Sequence, residues 1–144
     1  MTVVGVSSLD RLLAELAPAV ELVGGAPLTR ERLRVLLGRV ELRAWQLEGD
    51  SSAPGPLAGR CPLGSGRALL ASTRALPDRA ASGAYVVARS LPVGPGRWVL
   101  LGRPSVVGAG GASRFEQLLR SLRAPPGEFW RVHGGVLAHA ARAA

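Results

Sequence analysis

Arginine is the residue with most chemistry to offer in this chain. There are 18 arginines, no lysine and 10 acids, for a formal charge of +8 over 144 residues. The charge is unevenly spread. Residues 1–50 hold seven acids against six arginines, whereas residues 51–144 hold twelve arginines against three acids, Asp78, Glu116 and Glu128. Such a surplus makes a positive field that attracts phosphate, acidic proteins or anionic membrane. Ile, Lys and Asn are missing while Gly, Ala, Arg and Pro abound, the mark of a GC-rich coding sequence. That explains arginine in place of lysine, but not the scarcity of acids after Asp50.

Several arginines are interleaved with aromatics. Along residues 39–48, Arg39, Arg43 and Trp45 alternate with Val40, Leu42 and Ala44, so one face of a strand would carry the basic and aromatic groups. Arg67, Arg89, Arg97 and Arg103, with Tyr85 and Trp98, offer similar material further along. Guanidinium groups meet phosphates and rings stack on bases, so an open sheet face of this kind suits nucleic acid. Parity assigns Arg97 and Arg103 to one face and Trp98 to the other. Trp and Arg are also favoured anchors at protein interfaces.

Other chemistry is thinner. Gly108, Gly110, Gly111 and Ser113 lie between an apolar run and a helix-like segment. Locally this resembles the dinucleotide-binding turn of shikimate-dehydrogenase-like enzymes, which would imply pyrophosphate on a helix N-terminus. No acid follows about twenty residues later to hold a ribose, and a Ser113 and Glu116 capping box would fill the helix entrance. A plain strand-to-helix turn is the default. Gly64-Ser65-Gly66-Arg67 lacks the ending of a phosphate-binding P-loop. Cys61 has no histidine near it in sequence and reads as a spectator. His133 and His139 are six apart, off a shared helical face, and lack companion ligands, so no metal and no cofactor is expected. No pair of catalytic carboxylates stands out, so catalysis is not expected.

The elements that must position these residues follow from periodicity. Leu9, Leu12, Leu13, Leu16 and Val20 predict a first helix capped by Ser7 or Ser8 and ended or bent by Pro18, with a short strand at 19–23. A second helix is predicted from Thr29 to Gly38, burying Leu33, Leu36 and Leu37. Residues 39–48 alternate as a half-buried strand. Residues 49–66 form a Gly/Pro/Ser-rich loop expected to hold no regular structure. Residues 67–74, 84–93 and 97–107 predict strands, the last two joined as a hairpin through Gly94-Pro95-Gly96. Pro92 and Pro104 mark strand ends, edges or bulges. Phe115, Leu118, Leu119 and Leu122 give a third helix, and a fourth starts near Glu128, weakened by Gly134-Gly135.

Helices, then strands, then helices predict one α+β domain over residues 1–144. Its sheet is expected to be small and antiparallel, an OB-like barrel or a curved sheet, flanked by N- and C-terminal helices. Neither a signal peptide nor a membrane span is evident, and a single cysteine fits an intracellular, reducing compartment. The expected function is non-catalytic binding of nucleic acid, single-stranded by preference, through Arg39, Arg43, Trp45, Arg67, Tyr85, Arg89, Arg97, Trp98 and Arg103. An accessory subunit docking on an acidic protein is the alternative, and a nucleotide-dependent enzyme built on the glycine turn the remote one.

Overall fold

The computed structural model describes residues 3–49, 56–63 and 66–143, with side chains from Ser8 onward. Helix α1 (Val3–Leu22) turns Leu16, Ala19 and Val20 into a core that Val23 completes. It starts before Ser7 and Ser8, so neither caps it, and it runs through Pro18 where a strand had been expected at 19–23. An interior proline removes one N–H donor. Burial of the apolar stripe on both sides of it overrides that loss. Helix α2 (Arg30–Leu37) follows expectation: the Thr29 hydroxyl accepts from the Arg32 amide at 3.1 Å, Gly38 closes the helix, and Leu33 and Leu36 are buried.

Five strands follow: β1 (Glu41–Glu48), β2 (Leu57–Arg60), β3 (Arg67–Ser72), β4 (Tyr85–Gly94) and β5 (Arg97–Val107). They close into a barrel in the order β1-β2-β3-β5-β4, with β4 returning to β1. Every pairing is antiparallel except β3 with β5, which is parallel. The sheet is therefore mixed rather than wholly antiparallel, in an α+β domain with an OB-like barrel. Strand β2 lies inside the stretch expected to hold no regular structure. Pairing with β1 on one side and β3 on the other supplies the order that its own composition does not. Residues 50–55 and 64–65 of that stretch lie outside the described residues.

Three cores arise from this closure. Trp45, Leu47, Leu70, Val86, Leu100 and Val106 fill the barrel interior. Helices α1 and α2 cover one outer side, over Leu91, Val93, Val99 and Leu101. Helices α3 (Ala112–Ser121) and α4 (Phe129–Ala143) cover another, over Ala44, Tyr85, Val87 and Val107. A 3-10 turn, Ala109–Gly111, leads into α3, whose first residue, Ala112, follows Gly111 as a cap without a side-chain bond. Ser113 therefore sits inside the first turn, and the expected capping box does not form. Glu116 pairs instead with Arg120 at 2.9 Å, one turn on. Among the described residues no strand follows α3, so the glycine turn is not the start of a strand-helix-strand crossover. None of the described helices is long and apolar enough to cross a membrane.

Candidate nucleic-acid interface

Strand β4 shows how the site arises. Its outward residues are Tyr85, Val87, Arg89, Leu91 and Val93. The first two lie under α3 and α4, the last two pack with α1 and α2, and Arg89 falls in the strip between the two covers. Arg89 is the exposed member of an otherwise well-covered strand. Across the ladder it faces Leu42 of β1 and Leu101 of β5.

Beside it β5 bulges. Val87 pairs with Ser105 and Arg89 with Leu101, so Gly102, Arg103 and Pro104 stand opposite Ala88 alone. Gly102 has φ of 70°, a left-handed conformation that side chains disfavour. Pro104 falls in this bulge, as a proline without a donor should. Bulges re-aim side chains, and here Arg103 lines a groove of about 370 Å³ together with Arg89, Arg142, Leu42, Leu101 and Ser105. No acid lines it, and among the described residues none of the three arginines has a carboxylate within ion-pair distance.

A second hollow, of about 610 Å³, opens at the barrel mouth between Arg39, Glu41, Pro92, Trp98, Trp130 and Arg131. Behind it Arg43 points into the barrel. Its guanidinium lies 4.4 Å from the centroid of Trp98, 5.6 Å from Trp45 and 5.8 Å from Trp130, and its Nε donates to Glu41 at 3.2 Å. All three tryptophans of the chain thus surround one cation. Both hollows reach Leu42, and both run along one flank of α4. On that flank Arg131, Gly135, Ala138 and Arg142 recur at i, i+4, i+7 and i+11, with small residues between the two arginines. The span is about 16 Å at 1.5 Å per residue.

The nine residues anticipated from sequence therefore part company. Arg39, Trp98, Arg89 and Arg103 line the two hollows, and Arg43 stands behind the first. Trp45, 2% exposed, donates its indole N–H to Ser90 Oγ at 3.0 Å inside the barrel. Tyr85, 1% exposed, packs on Phe115 with ring centroids 5.1 Å apart. Neither ring is open to a ligand. Arg43 and Trp45 do share a face, but closure makes it the barrel interior rather than an open sheet. Arg97 is engaged at the end of α1, donating Nε to the Val23 carbonyl at 2.7 Å. Arg97 and Arg103 do share the outer face of β5, with Trp98 packed on the interior side, because the bulge adds two residues and keeps the alternation; they stand apart, one at the end of α1 and the other in the groove. Arg67 lies elsewhere, on the outer face of β3, where it and Arg60 flank Glu48 at 3.6 and 3.5 Å.

Sequence reasoning missed Trp130, Arg131 and Arg142 as members of the site. Their signal was present: two arginines separated by small residues along one flank of a helix whose adjacent stripe is apolar. Burial raises the pKa of the Tyr85 phenol, helped by the Glu116 carboxylate and opposed by Arg120. Cys61 is a half-buried free thiol, and His133 Nε2 bonds with the Arg123 carbonyl at 2.7 Å. Among the described residues no group of three or more His, Cys, Asp and Glu is placed to hold a metal ion. Comparison with protein-family models, curated proteins and solved structures found no match to this chain.

Proposed function

We propose that this chain binds single-stranded nucleic acid, without catalysis, along the arginine-lined track beside α4 rather than on an open sheet face. One observation carries the reading: the strip that the two helical covers leave open is lined with Arg89, Arg103 and Arg142, none neutralised by a carboxylate among the described residues. A track of about 16 Å accommodates roughly four or five nucleotides at about 3.4 Å each. Its hollows, about 610 and 370 Å³, suit single nucleotides rather than a duplex. Affinity in this reading comes from phosphate neutralisation, with Trp98 and Trp130 offering apolar wall to bases at the mouth.

The test is a fluorescence-anisotropy titration of a short single-stranded oligonucleotide at several salt concentrations. For four phosphate contacts, at Arg39, Arg89, Arg103 and Arg142, with Arg131 already paired to Glu128, the log–log slope is expected near −3, at about −0.7 per contact. Arg89→Gln with Arg103→Gln should make it shallower by about 1.4. Arg60→Gln with Arg67→Gln, which removes arginines already paired with Glu48, should leave it unchanged. An unchanged slope in the first pair of substitutions removes the track from the site. Absence of oligonucleotide binding, with retention on an acidic protein surface, would favour the accessory-subunit reading.

A further inference from the structure

We infer that the groove of Arg89, Arg103 and Arg142 holds the terminal phosphate of the bound strand, a phosphomonoester rather than an internal phosphodiester; this rests on the nucleic-acid reading above. Three guanidinium groups line one groove of about 370 Å³, contributed by β4, the β5 bulge and the last turn of α4. With no acid in the lining, three like charges border one groove, and their mutual repulsion costs stability until an anion enters. A phosphodiester brings about one negative charge, whereas a monoester near neutral pH brings about −1.5 to −2 and a further strong acceptor. The monoester therefore matches the groove better. Each guanidinium can engage phosphate oxygens through a paired fork of N–H groups.

The surroundings strengthen the match. Leu42, Val87, Leu101 and Ala138 give the groove an apolar lining, which lowers the local dielectric and sharpens charge pairing. Ser105 adds a hydroxyl. Along the α4 flank the groove sits at the Arg142 end and the larger hollow at the Arg131 end. A strand whose terminal phosphate is held here would run back along that flank toward Arg39 and Arg131.

The experiment compares one internally labelled oligonucleotide in three forms: 5′-phosphate, 3′-phosphate, and hydroxyl at both ends. One phosphorylated form is expected to bind about 10-fold more tightly than the hydroxyl form, as one added charge-assisted contact would give. Which form gains fixes strand polarity. The preference should vanish in Arg89→Gln/Arg103→Gln and in Arg142→Gln, and persist in Arg60→Gln/Arg67→Gln. Inorganic phosphate should raise the melting temperature of the unmodified protein and not that of the groove variants, a readout independent of the oligonucleotide. Equal affinity for all three forms overturns the terminal-phosphate site while leaving single-strand binding intact. Failure of all three to bind removes both.

Discussion

Arg43 carries a charge into the barrel mouth, and its neighbours show how that is tolerated. Three indole rings surround the guanidinium and Glu41 lies beside it at 3.2 Å, so ring quadrupoles and a carboxylate replace part of the lost water. Trp45 is satisfied through Ser90, whose hydroxyl bonds on to the Ala88 carbonyl at 3.0 Å. Tyr85 is less well served: among the described residues its hydroxyl finds no hydrogen-bond partner. Its phenol pKa is raised above the usual value near 10, chiefly by burial. Below that value both folded and unfolded chains keep the proton, and the contribution to stability is constant. As pH rises further the unfolded state ionises first, so stability is lost on the alkaline side. Because Tyr85 is the only tyrosine, phenolate absorbance reports it alone. Its midpoint in the folded protein is expected above 10, and Tyr85→Phe should abolish that part of the alkaline loss of stability. A midpoint at or below that of a free tyrosine would contradict the burial argument.

At the scale of elements, adjacent glycines in α4 have opposite roles. A Cβ on Gly134 would lie 2.7 Å from the Leu42 carbonyl oxygen and 2.8 Å from Leu42 Cβ, whereas one on Gly135 meets nothing within 4 Å. Gly134 therefore lets α4 lie directly on β1, and this seat brings the flank of Arg131 and Arg142 beside the barrel. Gly134→Ala is expected to destabilise by about 1–3 kcal/mol through overpacking against backbone, despite the better helix propensity of alanine. Gly135→Ala should stabilise by about 0.5–1 kcal/mol. Urea unfolding of both variants checks the pair, and equal signs would refute the close-approach account. Sequence reasoning treated the two glycines alike, as helix weakeners, because close approach is a tertiary fact. The same limit explains α1 and β2. Local donors alone make Pro18 the end or a bend of its helix, and composition alone makes Leu57 to Arg60 a loop, because the order of both comes from packing and pairing partners distant in sequence. Where an element carries its own signal, as with Thr29 and Gly38 around α2 or the hairpin of β4 and β5, its limits were legible to within a residue or two.

For the whole molecule, closure of the barrel decides which charges are free. The parallel pairing of β3 with β5 joins Leu69 to Arg97 and Ser72 to Leu100, residues 28 apart in sequence. No local pattern announces that contact, yet it turns one face of β1 inward and makes Arg43 and Trp45 interior. The outward alternation of β4, with Arg89 among apolar residues, was visible in sequence, but the gap between two helical covers was not. Six arginines form ion pairs among the described residues, leaving twelve outside such pairs. Salt acts on these two populations with opposite sign. Exposed pairs contribute about 0–1 kcal/mol each and weaken on screening, while repulsion among the unpaired arginines is relieved. The formal charge of +8 makes repulsion the larger effect. Raising sodium chloride from about 0.01 to 0.15 M shortens the screening length from about 30 to 8 Å, and the melting temperature is expected to rise. The rise should be smaller in Arg89→Gln/Arg103→Gln, which already lacks part of the repulsion. A melting temperature that falls with salt would mean that the ion pairs dominate, and that the groove arginines are too far apart to repel or to act together on one anion.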